Sequence, residues 1–342
     1  MGGIGLAGLL TLLLAGLLWF AQSSYRVEHL YSRLLYPHIT AVLTRVFGPI
    51  PFSLTEWSGY ALILAFYCSI ALALLKKLPW RRLLLFWLNT GLVLTIWFYL
   101  AWGLNYFRRP LHEILQLDMK AAAEADFRRV LLRLIQEANT WYVPVTDEDV
   151  NNLDAVIERA YEALEASGIL SLPHGKRAPK ALLLNVWLNK TTTSGFFSPF
   201  FHEVHINMDM PAFEWPFVLA HEKAHQMGFA RESEASFIAF LACIRSSDRR
   251  VRYSVALAMV RRFLARARFL FQDVAEIRKA LHPPVLHDIT VSRTFWQQHS
   301  GRLSKLSYKA YDVYLKSNRI REGIKNYGGV VDYVLVWSLH NL

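Results

Sequence analysis

The stretch FEWPFVLAHEKAHQMGFARESEASFIAFL, residues 213–241, contains the pattern that decides the fold of this chain. Its first half predicts a helix over about residues 215–227 and includes an HExxH pentad, in which His221 and His225 are four residues apart. Residues i and i+4 share one face of a helix, so both imidazoles can bind one metal ion. Glu222 follows the first imidazole, where a general base is needed.

A third metal ligand is expected on the helix that is predicted after Gly228, a residue able to end the first helix in a left-handed conformation. Two histidines and one carboxylate form a known zinc site with an open coordination position. Glu232 and Glu234 are the candidates. We favour Glu232, because small residues on its helical face permit close approach to the first helix: Ala235, Ser236, Ala239 and Cys243. Glu234 shares its face with large apolar residues and is the alternative.

These residues together predict peptide-bond hydrolysis by a zinc-activated water molecule. Glu222 would take a proton from the water and pass it to the leaving amine. Lys223 departs from the uncharged residues usual between such histidines, but at i+2 from His221 it points away from the metal face. Tyr311 and Tyr314 are candidate oxyanion donors, although buried structural tyrosines explain them more simply.

Three long uncharged stretches account for a hydrophobic content of 54% in 342 residues. Residues 4–21, 57–75 and 83–104 each approach the roughly 20 residues that cross a bilayer as a helix. No basic segment precedes the first stretch and two spans follow it, which favours a retained anchor over a cleaved signal peptide. We therefore predict a multi-pass cell-membrane protein, with an anchor at 1–110 and a metallopeptidase domain at 111–342.

Basic residues between the second and third spans predict the orientation. This short link contains Lys76, Lys77, Arg81 and Arg82, whereas the longer connection at 22–56 contains only three basic residues. Because cytoplasmic loops are enriched in Lys and Arg, the short link is expected inside. The metallopeptidase domain would then lie on the extracytoplasmic side.

The net charge of +11 does not indicate nucleic-acid binding in this chain. Ten basic residues in 245–279 alternate with apolar ones, which fits either a helix lying on anionic headgroups or a solvated basic face. The expected partners are a peptide or protein substrate and the lipid bilayer, with the oligomeric state open. Cys68 and Cys243 do not form a disulfide framework.

The rest of the second domain is predicted to be mostly helical, at residues 119–142, 148–167, 251–272, 288–317 and 321–338. The apolar run at 180–188 is typical of a strand, and the alternation at 202–207 is typical of an edge strand. An edge strand beside the metal helix could pair with an extended substrate. This interpretation is preferred over metal binding by His202, Glu203 and His205.

Several passages resemble the bacterial membrane proteins that carry domain of unknown function 3810, a family with an HExxH motif. The passages are WGLNYFRRPL at 102–111, Ser198-Pro199, HEKAHQMGFARESEAS at 221–236 and AYDVYLK at 310–316. The resemblance covers nearly the whole chain and implies a zinc metallopeptidase-like domain, without indicating a substrate.

The run Glu232-x-x-Ala235-Ser236 is also similar to the ExxA(D/N) helix of gluzincin peptidases. There the first Glu binds zinc and the Asp supports a histidine ligand, so Ser236 implies weaker support. Together the resemblances imply a mainly α fold, with three transmembrane helices and a zincin-like α+β domain that contains a short edge-strand sheet. Lys223, Ser236 and the missing oxyanion donor motivate an alternative, a catalytically inactive zinc-binding membrane sensor or scaffold.

Overall fold

A computed structural model of the chain describes residues 2–119, 123–146, 152–173 and 178–341. The protein is mainly helical, and among these residues only two short strands pair into a sheet. The chain forms two compact units, Met1–Arg109 with Ser198–Glu203, and Pro110–Phe197 with Val204–Leu342. Their assignment as a membrane anchor and a metallopeptidase domain stays a prediction.

The first unit contains five α-helices, α1 (Gly3–Phe20), α2 (Ser24–Arg26), α3 (Tyr36–Phe47), α4 (Leu54–Leu74) and α5 (Trp80–Ala101). By length and composition, α1, α4 and α5 could each cross a membrane, which confirms three apolar helices near the predicted positions. Their side chains are mostly unburied, as lipid-facing helices allow. The third ends at Ala101 rather than at residue 104, because Gly103–Phe107 forms a buried 3-10 turn. Membrane crossing and orientation remain predictions.

A buried ion pair lies in the first unit outside these apolar helices. Glu28, on the π-helix Val27–Leu35, accepts two hydrogen bonds from Arg108, at 2.9 and 3.1 Å. Arg33 adds a third from the half-exposed surface, at 2.8 Å. Burial favours the neutral carboxyl, but these arginines outweigh it and lower the pKa of Glu28. The pair is therefore charged and almost fully removed from water.

Replacing Glu28 by Gln is expected to destabilise the protein by about 3–5 kcal/mol, because the buried Arg108 charge would lose its counter-ion. Arg33→Gln is the matched control, since it removes an exposed partner of the same carboxylate and should cost about 1 kcal/mol or less. Thermal unfolding of both variants in detergent measures the difference. Equal shifts in unfolding temperature for the two variants would show that the buried charge of Arg108 does not require Glu28 as its counter-ion.

The second unit contains the remaining helices of the described residues. They are α6 (Leu111–Ile114), α7 (Glu124–Trp141), α8 (Leu153–Ala166), α9 (Val186–Thr191), α10 (Trp215–Gln226), α11 (Glu232–Cys243), α12 (Arg249–Ala267), α13 (Val274–Lys279), α14 (Pro283–His299), α15 (Arg302–Ser317) and α16 (Val330–Asn341). The strands are β1 (Gly195–Ser198) and β2 (Glu203–Ile206), of which only Ser198 and Glu203 belong to the first unit. Their four-residue connection makes them an antiparallel hairpin.

Three sequence predictions for this unit need correction. The run at 180–188 is not a strand: it forms a turn and enters α9, and its apolar residues Leu183 and Trp187 are exposed rather than buried in a sheet. The helix predicted at 288–317 is two helices that are separated at Ser300-Gly301, where the backbone is extended. The helix predicted at 321–338 begins as a 3-10 turn before α16. Residues 148–151 of another predicted helix lie outside the described residues.

The core of the second unit centres on α10, α11 and α12, packed with α7, α8 and α16. Every residue of α11 is buried, and α12 buries apolar residues such as Val251, Leu257 and Phe263. Four arginines of α12 form ion pairs, for example Arg250 with Asp248 at 2.6 Å. The apolar side of α12 therefore packs against protein, whereas Phe269 and Leu270, which follow it in the basic segment, are exposed.

Candidate metal centre

The helices α10 and α11 bring the predicted site residues together through a tight turn. Pro216 occupies the first turn of α10, where a missing backbone N–H costs nothing. After α10 ends, Gly228 adopts a left-handed φ of 92°, and the Phe229 N–H donates back to the Ala224 carbonyl at 3.1 Å. The chain thus reverses within a few residues, and Glu232, the first residue of α11, faces the histidines of α10.

Three donor atoms form a compact triangle at this turn. The Nε2 atoms of His221 and His225 are 3.1 Å apart, and Oε2 of Glu232 lies 3.1 Å from the first and 3.3 Å from the second. In a tetrahedral zinc site with bonds of about 2.0–2.1 Å, donor atoms are separated by about 3.3 Å. The triangle therefore fits one face of a zinc coordination tetrahedron, and it is the one group of this kind among the described residues.

Each of the three side chains also hydrogen-bonds another residue of the second unit through an atom that is not part of the triangle. The Nδ1–H of His225 donates to the Phe229 carbonyl at 2.7 Å, and Nδ1 of His221 hydrogen-bonds Ser236 Oγ at 3.0 Å. The Tyr311 hydroxyl donates to Oε1 of Glu232. With these partners fixed, both Nε2 atoms and Oε2 point toward one another, which is how outer partners orient metal ligands.

Glu222 is buried beside this triangle but is not part of it. It accepts a backbone hydrogen bond from Phe197 of β1. A Cβ at Gly195 would lie 3.0 Å from Glu222 Cγ and 2.8 Å from the His205 carbonyl oxygen, so only glycine fits there. The strand therefore lies directly against the predicted general base.

Burial and neighbouring charges shift the pKa values of these groups. Burial lowers the pKa of His221 and raises the pKa of Glu222 to about 8. Burial also acts against charge on His225, but the Glu232 carboxylate outweighs it and raises the pKa of His225 to about 9. Against the effect of burial, the two imidazoles hold the pKa of Glu232 below its usual range. Glu232 is thus ionised at neutral pH, the form that binds a cation.

The alternative ligand Glu234 is placed elsewhere by the structure. Its Oε1 accepts hydrogen bonds from the backbone N–H of Leu111 and from Arg231, both at 2.9 Å. Lys223 also points away from the triangle, into an ion pair with Asp154 at 2.5 Å and a further one with Glu158. Its charge is satisfied on the far side of α10, at i+2 from His221.

The residues of the β1–β2 hairpin do not join the triangle either. Glu203 accepts hydrogen bonds from the backbone N–H groups of Leu54 and Thr55, at 3.0 and 2.9 Å, and so caps the N-terminus of α4. His202 hydrogen-bonds Thr40. His205 bonds the Lys180 carbonyl through Nδ1 at 2.9 Å.

Sequence reasoning missed two positions near the triangle, Gly195 and Tyr327. The Tyr327 ring stacks on the His221 ring, with centroids 6.2 Å apart and an interplanar angle of 23°. Desolvation and the Glu232 carboxylate raise the pKa of Tyr327, so its hydroxyl keeps its proton, and it hydrogen-bonds Glu232 and Tyr311. The segment GIKNYGG around Tyr327 has no catalytic spacing, and only the fold brings it here.

Replacing Ser236 by Ala is expected to weaken zinc binding by about 10–100-fold, because His221 would lose the hydrogen bond that fixes its ring. Ser233→Ala is a matched control on the same helix, since its hydroxyl bonds Asn326 instead. Competition with a chromophoric chelator measures both affinities. A Ser236→Ala protein that binds zinc as tightly as the Ser233→Ala protein would exclude this supporting role.

The fold and the site define a mainly helical protein with three candidate membrane spans and a buried His-His-Glu cluster that could hold a metal ion. A family described as protein of unknown function (DUF3810) matches residues 31–335, and the chain belongs to this family. The match includes the second and third apolar helices and the whole cluster. Searches of curated proteins and of solved structures gave no match.

Proposed function

We propose that this protein is a membrane-anchored zinc metallopeptidase with a zincin-like domain on the extracytoplasmic side. The observation that carries the proposal is the spacing of 3.1–3.3 Å among the donor atoms of His221, His225 and Glu232. A separate buried carboxylate, Glu222, adjoins them without joining them. Two imidazoles, one carboxylate and a neighbouring general base are what metal-assisted peptide hydrolysis requires.

The roles of the protein groups follow from their placement. A zinc ion held by His221, His225 and Glu232 would supply the Lewis acidity needed to activate water and polarise a substrate carbonyl. Glu222 accepts the proton of the attacking water and returns it to the leaving amine, and the Phe197 N–H holds its carboxyl in position. Tyr327 stacks beside His221, and its protonated hydroxyl hydrogen-bonds Glu232; on leaving that carboxylate it is the candidate donor to the developing oxyanion.

The strand β1 supplies a means of holding an extended peptide. Within the described residues it pairs only with β2, so its other edge has no strand partner. Glu222 adjoins this strand at Gly195 and accepts a hydrogen bond from the Phe197 N–H. A substrate that adds to this edge would place its backbone next to the general base.

The test is cleavage of a peptide library by the detergent-purified, zinc-loaded protein. We expect cleavage that stops on chelation and returns when zinc is restored. Zinc-loaded protein that leaves every peptide intact would contradict the proposal and support the alternative, a zinc-binding sensor or scaffold. The observation that favours this alternative is that the Tyr311 and Tyr327 hydroxyls both hydrogen-bond Glu232, a carboxylate of the triangle.

A further inference from the structure

The second unit contains a large cavity that the proposed chemistry does not use. Its volume is about 1080 Å³, slightly above the roughly 300–1,000 Å³ typical of ligand sites. The walls come mainly from α12, α13, α14 and α15, and Thr192, which follows α9, also lines it. Apolar and polar side chains alternate around it, including Trp296, Tyr308 and Gln297. We refer to this space as the basic cavity, because basic side chains line it.

Six cationic side chains line the basic cavity, and its lining includes no Asp or Glu. Arg261 is neutralised by Glu214 at 2.5 Å. None of the other five forms an ion pair with a residue that the structure describes: Arg268, Arg278, Arg293, Lys305 and Lys309. Five like charges around one concave surface focus a positive potential and attract anions. The lining is thus suited to a ligand with several negative charges.

The basic cavity is connected to the metal centre through two elements. Tyr308 lines the cavity and precedes Tyr311, the residue bonded to Glu232, by three positions of α15, an axial rise of about 4.5 Å. Thr192 lines the cavity and precedes Gly195, the glycine pressed against Glu222, by three residues. A substrate peptide that pairs with β1 would therefore have one end near the basic cavity.

We propose that the basic cavity binds an acidic segment of the peptide substrate. The inference rests on the proposed peptidase function for the identity of the ligand as a peptide. The connection to β1 and α15 favours a peptide over an anionic lipid headgroup, because a headgroup would have no reason to adjoin the general base. The cations are spread over four helices, which suits several separate carboxylates better than one compact phosphate.

Binding, rather than turnover, tests this inference. The probe is a fluorescein-labelled octapeptide with four Glu residues, compared with its Gln analogue, on Glu222→Gln protein in detergent. Anisotropy should show the acidic peptide binding about tenfold more tightly or better, with an advantage that falls as salt rises. Combined Arg268→Gln, Arg278→Gln and Arg293→Gln substitutions should remove this advantage; all three side chains are exposed, so the fold should persist.

The control replaces three other exposed arginines, by Arg159→Gln, Arg302→Gln and Arg321→Gln, and changes the net charge equally. It should leave the affinity within about twofold. Equal affinity for the acidic and Gln peptides, or equal effects of the two triple variants, would overturn the inference. So would a cavity variant that loses binding only to vesicles containing phosphatidylglycerol. Because Glu222→Gln protein need not cleave, selective binding without any hydrolysis by the wild type would contradict only the peptidase proposal.

Discussion

Replacing Glu222 by Gln should abolish peptide hydrolysis while the protein keeps its zinc. General acid–base catalysis contributes about 10²–10⁴-fold, and the amide can neither take the proton of the attacking water nor return it. The three donor atoms do not include Glu222, so metal content should be unchanged. Hydrolysis of a cleavable library peptide, measured beside zinc per chain, gives both quantities in one preparation.

Glu162→Gln is the control for this variant, because it makes the same chemical change at an exposed site on α8. Its activity should match that of the wild type. Full activity in Glu222→Gln protein would remove the proposed mechanism. Loss of zinc together with activity would instead place Glu222 in the coordination set.

Replacing Glu232 by Ala should reduce zinc affinity by more than about 100-fold, because it removes a metal ligand. Loss of a residue that only supports a ligand costs about 10–100-fold. Glu234→Gln is its counterpart. It should keep zinc but destabilise the protein by about 1–3 kcal/mol, because the Leu111 N–H would lose a charged acceptor and the Arg231 guanidinium its carboxylate. The two carboxylates are two residues apart on one helix, so the comparison separates metal binding from structural support.

Zinc affinity and thermal unfolding distinguish the outcomes. If Glu232→Ala protein retains zinc and Glu234→Gln protein loses it, Glu234 is the metal ligand and Glu232 is the structural residue. Equal zinc loss in both variants would indicate that α11 as a whole had shifted.

The sequence predicted the parts of the site that depend on local spacing. His221 and His225 share a helical face by their separation alone, and the small residues after Glu232 indicated which side of α11 approaches α10. Ser236 stands where the gluzincin resemblance implied a weaker support for a histidine ligand, and its hydroxyl hydrogen-bonds His221. These relations hold within single helices, where a period of 3.6 residues determines the geometry.

The remaining parts depend on packing between distant segments. Gly195 and Tyr327 are 27 and 105 positions from Glu222 in the sequence, and only the tertiary fold brings them close to the site. Neither residue belongs to a spacing pattern that would predict a functional role. The run at 180–188 was misread because a short apolar run was taken to be buried. In the structure Leu183 is 69% exposed, and the described sheet consists of β1 and β2, without this run.

X-ray absorption at the zinc edge tests the central claim most directly. Purified wild-type protein that is loaded with one equivalent of zinc should show about four N or O neighbours near 2.0–2.1 Å, with outer-shell scattering from two imidazole rings. His221→Ala protein should lose one ring contribution or the metal itself. A wild-type protein that binds no zinc, or a spectrum without imidazole scattering, would contradict the account.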